Sequence, residues 1–320
     1  MRGSVVVVGA GVAGCTAARL LLDAGWSVRV VDKGRSVGGR LATRRIGSAT
    51  LDHGAQFFTV RSAVFAAAVS GAEQAGIVDV WCRGFGAGPD GHPRYAARRG
   101  MNDLAKYLAD GLDVSVDTRI GSVAPGPSGW ELTHTNGQLR ADAVVLTAPV
   151  PQSLALLDAG AAMLDGELRD RLAAITYHPT LALLVVLDGP SAVPAPGGVQ
   201  LSDGPFGFVA DNRIKGISGS TAVTLHAAHD LSRDRWDDDP DATLADLLGH
   251  ARPWFGDAGV VDAQLKRWRY AQPRAPLDQE IEAATVNGAP VVFAGDAFAG
   301  AKIEGAFLSG RAAALHLGSP

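Results

Sequence analysis

The sequence predicts an α/β fold built on a parallel sheet, and two segments at opposite ends of the chain carry that prediction. The first, residues 5–14, is a run of four valines followed by glycines at the spacing G-x-G-x-x-G. The second, residues 291–296, is a short apolar run that ends in Gly-Asp. Each pattern is typical of a buried strand that enters a turn at the carboxyl edge of a parallel sheet, where nucleotides bind.

In the first segment each glycine has a separate physical role. Gly9 permits a tight turn, Gly11 lets a pyrophosphate approach the backbone, and Gly14 lets the following helix pack close to the strand. The N-terminus of that helix presents free N–H groups and a partial positive charge to the phosphates. Asp32, which closes the next predicted strand, is placed to accept hydrogen bonds from both ribose hydroxyls.

NAD, NADP and FAD all fit this pattern, and the residues that follow favour FAD. The segment Lys33–Arg40 contains a Gly-Gly-Arg step. In such a step the glycines let the phosphates approach the backbone, and the arginine supplies a fixed cation. The segment would thus make a second contact with the phosphates. The alternative for this segment is a solvated basic loop.

The second segment supplies groups for a flavin ring. Asp296 is placed to accept a ribityl hydroxyl, and a helix is predicted from near Gly305 to about Leu317. The dipole of this helix would stabilise negative charge at the flavin N1–C2=O edge. A last strand and a docking helix without a ligand is the alternative. Since no cysteine or histidine lies in Gly295–Gly310, we expect the FAD to be non-covalent.

Composition bounds the class of protein. The chain has 320 residues, enough for two domains, with a net charge of −4 and no basic stripe, so we expect no nucleic-acid partner. Apolar runs such as Leu181–Leu187 are too short to span a membrane, and the N-terminus is a strand, not a signal-peptide core. Cys15 and Cys82 form neither a disulfide framework nor a metal cluster. We therefore expect a cytoplasmic monomer or homodimer with no metal.

Periodicity divides the chain into a Rossmann-like FAD-binding domain and a second, mixed-sheet substrate domain of α+β type. The predicted FAD-binding domain is discontinuous, comprising 1–60, 96–150 and 285–320, and the substrate domain comprises 61–95 and 151–284. Asp239 is predicted to cap a helix that begins with Pro240. A helix is also predicted over 61–76, a second is predicted to start within 100–104, and a third is predicted over 164–174. Strands are predicted over 114–123, 130–135, 141–146, 180–187, 206–211, 222–228 and 263–269.

The chain carries a set of motifs that extends beyond the nucleotide-binding turn. They are Gly38-Gly39-Arg40, Asp52–Gln56, Val144–Gln152, Leu225-His226, Arg267–Ala271, and Gly295-Asp296 with Glu304–Ala306. Over nearly the whole chain this set resembles the renalase family, a branch of the amine-oxidase-like flavoproteins. The resemblance implies FAD and an oxidase of isomeric dihydronicotinamide nucleotides, which carry the hydride at ring position 2 or 6. Such an oxidase yields NAD(P)+ and passes the electrons to O2, giving H2O2.

Motifs and resemblance together predict one set of cofactor-binding residues. They are Gly9, Gly11, Val12, Ala13, Gly14, Asp32, Lys33, Gly39, Arg40, Gly54, Ala55, Gln56, Val123, Gly295, Asp296, Glu304, Gly305 and Ala306.

Four residues of the substrate domain are candidates for substrate contact and catalysis. His226, on an alternating strand, could bind the nicotinamide carboxamide or be a core histidine. Asn212 could meet the same amide or be a turn residue. Trp268 and Tyr270 alternate with arginines, so they could stack on the substrate, or pack in the core with the arginines solvated.

Two other functions stay open at this level. The first is another amine-oxidase-like flavoenzyme that oxidises an amine or desaturates a carbon chain. Amine-oxidase relatives often carry a lysine near flavin N5, and none of the five lysines here lies inside an apolar strand of the substrate domain. Lys302 also stands where amine oxidases tend to have an aromatic residue. The second is a flavin-binding protein without catalytic activity.

Overall fold

The structure is a computed structural model that describes residues 2–86 and 90–318. Its strands are β1 (Ser4–Val8), β2 (Ser27–Val31), β3 (Thr43–Ile46), β4 (Ala49–Asp52), β5 (Val78–Cys82), β6 (Arg94–Ala97), β7 (Val114–Ser115), β8 (Ile120–Gly126), β9 (Gly129–His134), β10 (Gly137–Ala141), β11 (Ala143–Leu146), β12 (Tyr177–Leu187), β13 (Gly198–Gln200), β14 (Phe206–Asp211), β15 (Ala222–Ala227), β16 (Val260–Pro273), β17 (Glu282–Val286) and β18 (Ala289–Phe293). Its α-helices are α1 (Val12–Asp23), α2 (Ala63–Gln74), α3 (Asn102–Ala109), α4 (Val150–Ala159), α5 (Gly166–Ala173), α6 (His229–Asp234), α7 (Pro240–Ala251) and α8 (Ile303–Gly318).

The chain forms two compact units, each assembled from separate stretches of sequence. The first unit comprises 1–39, 105–176 and 273–320, and the second comprises 40–104 and 177–272. The predicted domains are interleaved in a similar way, but their boundaries differ. Residues 40–60 and 96–104 were expected with the nucleotide motif, and 151–176 and 273–284 with the other domain. The assignment of FAD and substrate to separate domains stays a prediction.

The first unit is built on a six-stranded sheet in the order β17-β18-β11-β1-β2-β7. All neighbouring strands in it run parallel except β17, which is antiparallel to β18. The valines of β1 lie in its middle and are almost fully buried, as predicted for a strand covered on both faces. This sheet confirms the predicted α/β, Rossmann-like fold.

Helices α1 and α8 pack together through small residues on one face of this sheet. A Cβ added to Gly310 in α8 would lie 2.2 Å from the carbonyl oxygen of Ala13 in α1. The two backbones therefore approach closely because α8 has no side chain at this position. The dinucleotide turn that precedes α1 and the final helix are thus held in one core.

The second unit is built on a sheet in the order β13-β14-β15-β12-β16, with antiparallel pairing. One face buries alternate apolar residues of β12 and β15 against α7. The opposite face meets the β3–β4 hairpin, where Leu184 and Ala222 pack against Leu51. Because the side-chain period of a strand is two, the same face carries Thr224 and His226.

Several local predictions are confirmed and others need correction. Asp239 caps α7, since its side chain accepts hydrogen bonds from the N–H groups of residues 241 and 242. The predicted strand 114–123 is two strands: β7 pairs in parallel with β2, and only β8 pairs with β9 in antiparallel fashion. Helix α4 occupies Val150–Ala159, where the sequence predicts no helix. Within the described ranges, no helix is both long and apolar enough to cross a membrane.

The close contact between α1 and α8 yields a stability prediction. Gly310→Ala should lower the free energy of unfolding by about 1–3 kcal/mol, because its methyl group has no space beside Ala13. Gly249→Ala, at an exposed position of α7 with no atom within 4 Å, should instead raise it by up to about 1 kcal/mol. Urea denaturation of both variants tests this, and an undiminished stability of Gly310→Ala would contradict it.

Candidate functional site

The carboxyl edge of the parallel sheet collects the polar groups of the first unit. Gly9 follows β1, Asp32 follows β2, Thr147 follows β11, and Gly295-Asp296 follows β18. Because these four strands are parallel neighbours, their ends meet at one edge of the sheet. This is the edge at which doubly wound α/β folds bind ligands.

The turn at Gly9 has the geometry that a pyrophosphate requires. A Cβ on Gly14 would lie 1.9 Å from the Gly9 carbonyl oxygen, so α1 can begin this close to β1 only with glycine there. A Cβ on Gly11 would meet no atom within 4 Å, so this position opens onto free space. Gly11 is also the N-cap of α1, and no side chain caps the helix there. The first N–H groups, in Val12 and Ala13, are therefore presented at an open position that suits a phosphate.

Asp32 holds this turn through both carboxylate oxygens. Its Oδ2 accepts a hydrogen bond from the N–H of Ala10 at 2.7 Å, and its Oδ1 accepts one from Gly34 at 2.6 Å. Each oxygen can accept a further bond, which leaves capacity for ribose hydroxyls. Beside it, the Lys33 ammonium donates to Gln152 at 3.0 Å, and burial, with the nearby Arg119, lowers the pKa of Lys33.

The last strand and helix bring the predicted flavin residues to the same edge. Helix α8 begins at Ile303, two residues before the predicted start, so Glu304, Gly305 and Ala306 form its first turn. A Cβ on Gly305 would lie 1.9 Å from the Gly300 carbonyl oxygen, which fixes this tight entry into the helix. Asp296 is buried at the end of β18. These groups and the open turn at Gly11 fit a dinucleotide cofactor such as FAD.

In the second unit, the predicted turn 54–56 lies against the backbone of Arg40. A Cβ on Gly54 would lie 2.0 Å from the Arg40 carbonyl oxygen, which also accepts a hydrogen bond from Ala55 at 2.9 Å. The Arg40 guanidinium donates through Nη1 to the carbonyl oxygens of Tyr270 and Ala271. This part of the guanidinium is thus used to hold the end of β16, a role the sequence did not reveal. Its contact with a phosphate stays a prediction.

The Asp52 side chain accepts three hydrogen bonds in the interior of this unit. Its Oδ2 accepts a hydrogen bond from the ammonium of Lys215 at 2.7 Å, and both side chains are completely buried. Its Oδ1 accepts from the Thr43 hydroxyl at 2.6 Å and from the N–H of Met101 at 2.8 Å. Sequence reasoning missed Lys215, because the partners are 163 residues apart and no local pattern links them.

His53, the next residue, organises two of the predicted substrate residues. Its carbonyl oxygen accepts a hydrogen bond from the indole N–H of Trp268 at 2.7 Å, and its imidazole stacks on the same indole at 5.3 Å with 22° between the planes. His226 is hydrogen-bonded to the His53 backbone as well. The structure thus brings Trp268 and His226 together around His53, which in the sequence is only one residue of the Asp52–Gln56 motif.

Both histidines are held in the neutral form. Burial lowers the pKa of His53 to about 4, with Lys266, His226 and Arg44 adding to the effect. Burial also lowers the pKa of His226 to about 4, assisted by Lys215 and opposed by the hydrogen bond to the His53 backbone. At neutral pH these rings are uncharged and weakly basic.

Some buried polar atoms of this unit lack hydrogen-bond partners among the described residues. They include Nδ1 of His53, Nε2 of His226 and Oε1 of Gln56. The Gln56 amide nitrogen donates to the Asp52 carbonyl oxygen at 2.7 Å, so only its oxygen is unpaired. Unpaired buried polar atoms are unfavourable in a purely structural segment, and they are expected where a ligand completes the site.

The other predicted substrate residues differ in their environment. Asn212 needs correction: it is completely buried, its Nδ2 donates to Ala222 and Thr224, and its Oδ1 accepts from Asp52, so its amide is committed to the interior. Tyr270 is half-buried and meets the ring of Tyr177 edge to face at 5.5 Å.

The predicted alternation of β16 is confirmed. Trp268 and Tyr270 are half-buried, whereas Arg267 and Arg269 between and beside them are exposed. The Arg267 guanidinium donates to the carbonyl oxygens of Trp236 and Asp238 on the opposite side of the strand. The arginines therefore hold a turn of the second unit, and the aromatic residues lie on the His53 face.

Two residues remain: Val123, which is predicted to bind the cofactor, and Lys302, at which the sequence departs from amine oxidases. Val123 lies in β8 and is completely buried, with its carbonyl oxygen 2.0 Å from where a Cβ of Gly160 would be. Its contact with a cofactor stays a prediction. The side chain of Lys302, which departs from the aromatic residue of amine oxidases, is exposed just before α8.

Comparison with known families gives a consistent result. Residues 61–317 match the family described as flavin containing amine oxidoreductase. Residues 7–68 match the family described as NAD(P)-binding Rossmann-like domain.

Individual relatives match more weakly. Renalase of Mus musculus is 28% identical over 193 residues, which cover 56% of this chain and 56% of that protein. Hydroxyneurosporene desaturase of Rubrivivax gelatinosus is 42% identical over 73 residues, which cover 22% of this chain and 14% of that protein. The chain thus covers less than two thirds of the length of either relative.

Solved structures share the fold over almost the full chain. A candidate protoporphyrinogen oxidase from Exiguobacterium sp. 255-15 has a TM-score of 0.73 at 13% identity, with 98% of both chains covered. Putrescine oxidase bound to putrescine has a TM-score of 0.71 at 15% identity, again with 98% of both chains covered. At these identities the likeness concerns the fold alone.

The open position at Gly11 predicts a selective loss of cofactor. Gly11→Ala should fold normally, since its φ of −82° suits alanine and its methyl would meet no protein atom. FAD binding should weaken roughly tenfold or more, because a methyl forced into contact costs about 1–3 kcal/mol. Gly14→Ala, which has no such space, should lose folded protein instead. Fluorescence titration of apoprotein with FAD measures the first effect, and unchanged affinity in Gly11→Ala would overturn it.

The neutral histidines predict a dependence of stability on pH. Their pKa is about 4 in the folded protein and near 6.5 when unfolded, so between these values the unfolded chain takes up protons that the folded protein does not. The free energy of unfolding is therefore highest above pH 6.5 and falls as the pH drops towards 4. His226→Gln should make the fall in melting temperature less steep, whereas His316→Gln, at the exposed end of α8, should not. Equal slopes for His226→Gln and the unmodified protein would refute this reasoning.

Proposed function

The chain belongs to the flavin containing amine oxidoreductases, and within that family we propose that it is an FAD-dependent oxidase of isomeric dihydronicotinamide nucleotides. The reaction takes a hydride from a 2- or 6-dihydronicotinamide, and it consumes O2 and a proton to give NAD(P)+ and H2O2. Bound FAD supplies the hydride acceptor and the means of reducing O2. We propose that it acts in the cytoplasm as a monomer or homodimer.

The low basicity of the two histidines is the observation that supports this substrate best. An amine must be in its neutral form to give up a hydride, and a general base works well when its pKa lies near the operating pH. His53 and His226, with a pKa of about 4, are poorly suited to that task. A dihydropyridine needs no base, because loss of its hydride directly yields the aromatic cation. Orientation of the donor carbon is then the main task of the protein.

The proposed residues have distinct tasks. Gly9, Gly11 and Gly14 would hold the pyrophosphate and Asp32 the ribose, without a covalent link to the flavin. Trp268 would stack on the nicotinamide ring. On the same face of the second unit, His226 lies between Ala182 and Phe208 on neighbouring strands. The Nε2 atom of His226, which has no hydrogen-bond partner among the described residues, would bind the carboxamide.

The second candidate is oxidation of an amine or desaturation of a carbon chain. It is favoured by the likeness in fold to putrescine oxidase and by the short match to a desaturase. Against it, the residues that lower the pKa of His53 include the cations Lys266 and Arg44. Such surroundings disfavour an ammonium ion and suit a substrate that carries phosphates.

Anaerobic mixing of the yellow protein with reductants tests the proposal. An isomerised NADH pool should bleach the flavin rapidly, and readmitted O2 should yield one H2O2 per substrate. Ordinary NADH should react slowly, because FAD would occupy the G-x-G-x-x-G turn at Gly9–Gly14, which joins strand β1 to helix α1. Putrescine should not bleach the flavin at all. Bleaching by amines, or none by isomerised NADH, would overturn the proposal.

His226→Ala separates the two interpretations of this residue. If His226 orients the nicotinamide, flavin reduction should slow by up to roughly a hundredfold while FAD content stays unchanged. His250→Ala, at an exposed position of α7, serves as the control and should leave the rate unchanged. Stopped-flow reduction and the melting temperature are measured on each variant. A lower melting temperature with an unaltered rate would identify His226 as a core residue.

A further inference from the structure

His53 is held more firmly than a surface turn requires. Its N–H donates to the Ala42 carbonyl oxygen at 2.9 Å, and its carbonyl oxygen accepts from the Trp268 indole at 2.7 Å. The preceding residue, Asp52, is fixed by its buried ion pair with Lys215. Both backbone groups of His53 are therefore engaged, and its position is set by the interior of the second unit.

The imidazole of His53 constrains the plane of the Trp268 ring. An indole that is held only by its N–H can still swing about the hydrogen bond. Here the imidazole stacks on the indole with 22° between the planes, so the hydrogen bond fixes the edge and the stack fixes the face. Because the imidazole is neutral at ordinary pH, no charge has to be desolvated in this stack.

We propose that His53 is a positioning residue, which through Trp268 sets the orientation of the substrate ring and thereby selects between the 2- and 6-dihydro isomers. This inference rests on the proposed function. The two isomers differ in which carbon beside the ring nitrogen carries the hydride. A fixed stacking plane sets the tilt of the ring, and the carboxamide bound by His226 would set its rotation within that plane, so that one of these carbons is presented to the acceptor better than the other. Freeing the indole would let the ring settle in both orientations.

Three variants test the inference. His53→Ala removes the stack but leaves the backbone hydrogen bonds. His53→Phe keeps an aromatic ring against Trp268 and removes the unpaired Nδ1. Leu247→Ala lowers stability from the opposite face of the sheet, where Leu247 is completely buried, and so controls for general destabilisation. For each variant kcat and KM are measured with the separated 2- and 6-dihydro isomers of NADH, together with the melting temperature.

The unmodified enzyme should turn over one isomer faster, by roughly tenfold or more, because a small displacement of the donor carbon has a large effect on rate. In His53→Ala this ratio of kcat values should fall to about threefold or less, through a loss of kcat for the preferred isomer with little change in KM. In His53→Phe the ratio of kcat values should be close to that of the unmodified enzyme. Leu247→Ala should keep it despite a lower melting temperature.

The outcomes separate the inference from the proposed function. If neither isomer reduces the flavin of the unmodified enzyme, both fail. If the isomers are oxidised but at equal rates, or if the ratio is unchanged in His53→Ala, the positioning role alone is overturned. A ratio that falls equally in Leu247→Ala and His53→Ala would also overturn it, since it would then reflect stability.

Discussion

The buried ion pair between Asp52 and Lys215 is the constraint on which the second unit depends. Both side chains are completely buried, so neither charge is stabilised by water. Removal of one partner from such a pair costs about 3–5 kcal/mol, whereas the intact pair adds little stability over an apolar contact. We interpret this pair as a device that specifies one arrangement. It joins strand β4 to the turn that follows β14, and the remaining Asp52 oxygen joins both to the start of α3.

The backbone of Asp52 extends this arrangement to the predicted substrate residues. Its N–H donates to the Asn212 side chain at 3.2 Å, and its carbonyl oxygen accepts from the Thr224 hydroxyl at 2.8 Å. Thr224 lies two residues before His226 on the same face of β15, and His53 directly follows Asp52. The positions of these two histidines thus depend on a buried network of hydrogen bonds around Asp52, Asn212 and Thr224.

The features that could be predicted best from the sequence are those that depend on residues close together in the chain. The strand, glycine turn and helix of the first unit, the acid at position 32 and the cap at Asp239 all depend on patterns within about twenty residues. The structure places them as expected. Short pairings with weak periodicity, such as the β3–β4 hairpin, gave no comparable signal, and the predicted strand over 114–123 is two separate strands, β7 and β8.

The features that sequence reasoning missed are long-range. The ion pair between Lys215 and Asp52 forms only when the fold brings these residues together, so no local sequence pattern predicts it. Asn212 could be interpreted as a turn residue or a substrate ligand, and only its three internal hydrogen bonds show that its amide is committed. In His53, the backbone carbonyl oxygen and the ring both contact Trp268, which lies 215 residues away and which a motif of side-chain types cannot reveal.

The proposed dihydronicotinamide substrate has no ionisable reacting group, and the charges of this unit would suit such a substrate. Desolvation keeps the imidazoles of His53 and His226 neutral, so they can hydrogen-bond an uncharged carboxamide without competition from a counterion. Lys266 and Arg44 make the surroundings positive, which attracts phosphates over long range without charging the rings. An enzyme that bound an ammonium ion would need the reverse, an accessible carboxylate. The carboxylate of Asp52 is instead buried and paired with Lys215, so this group would not be available to an ammonium ion.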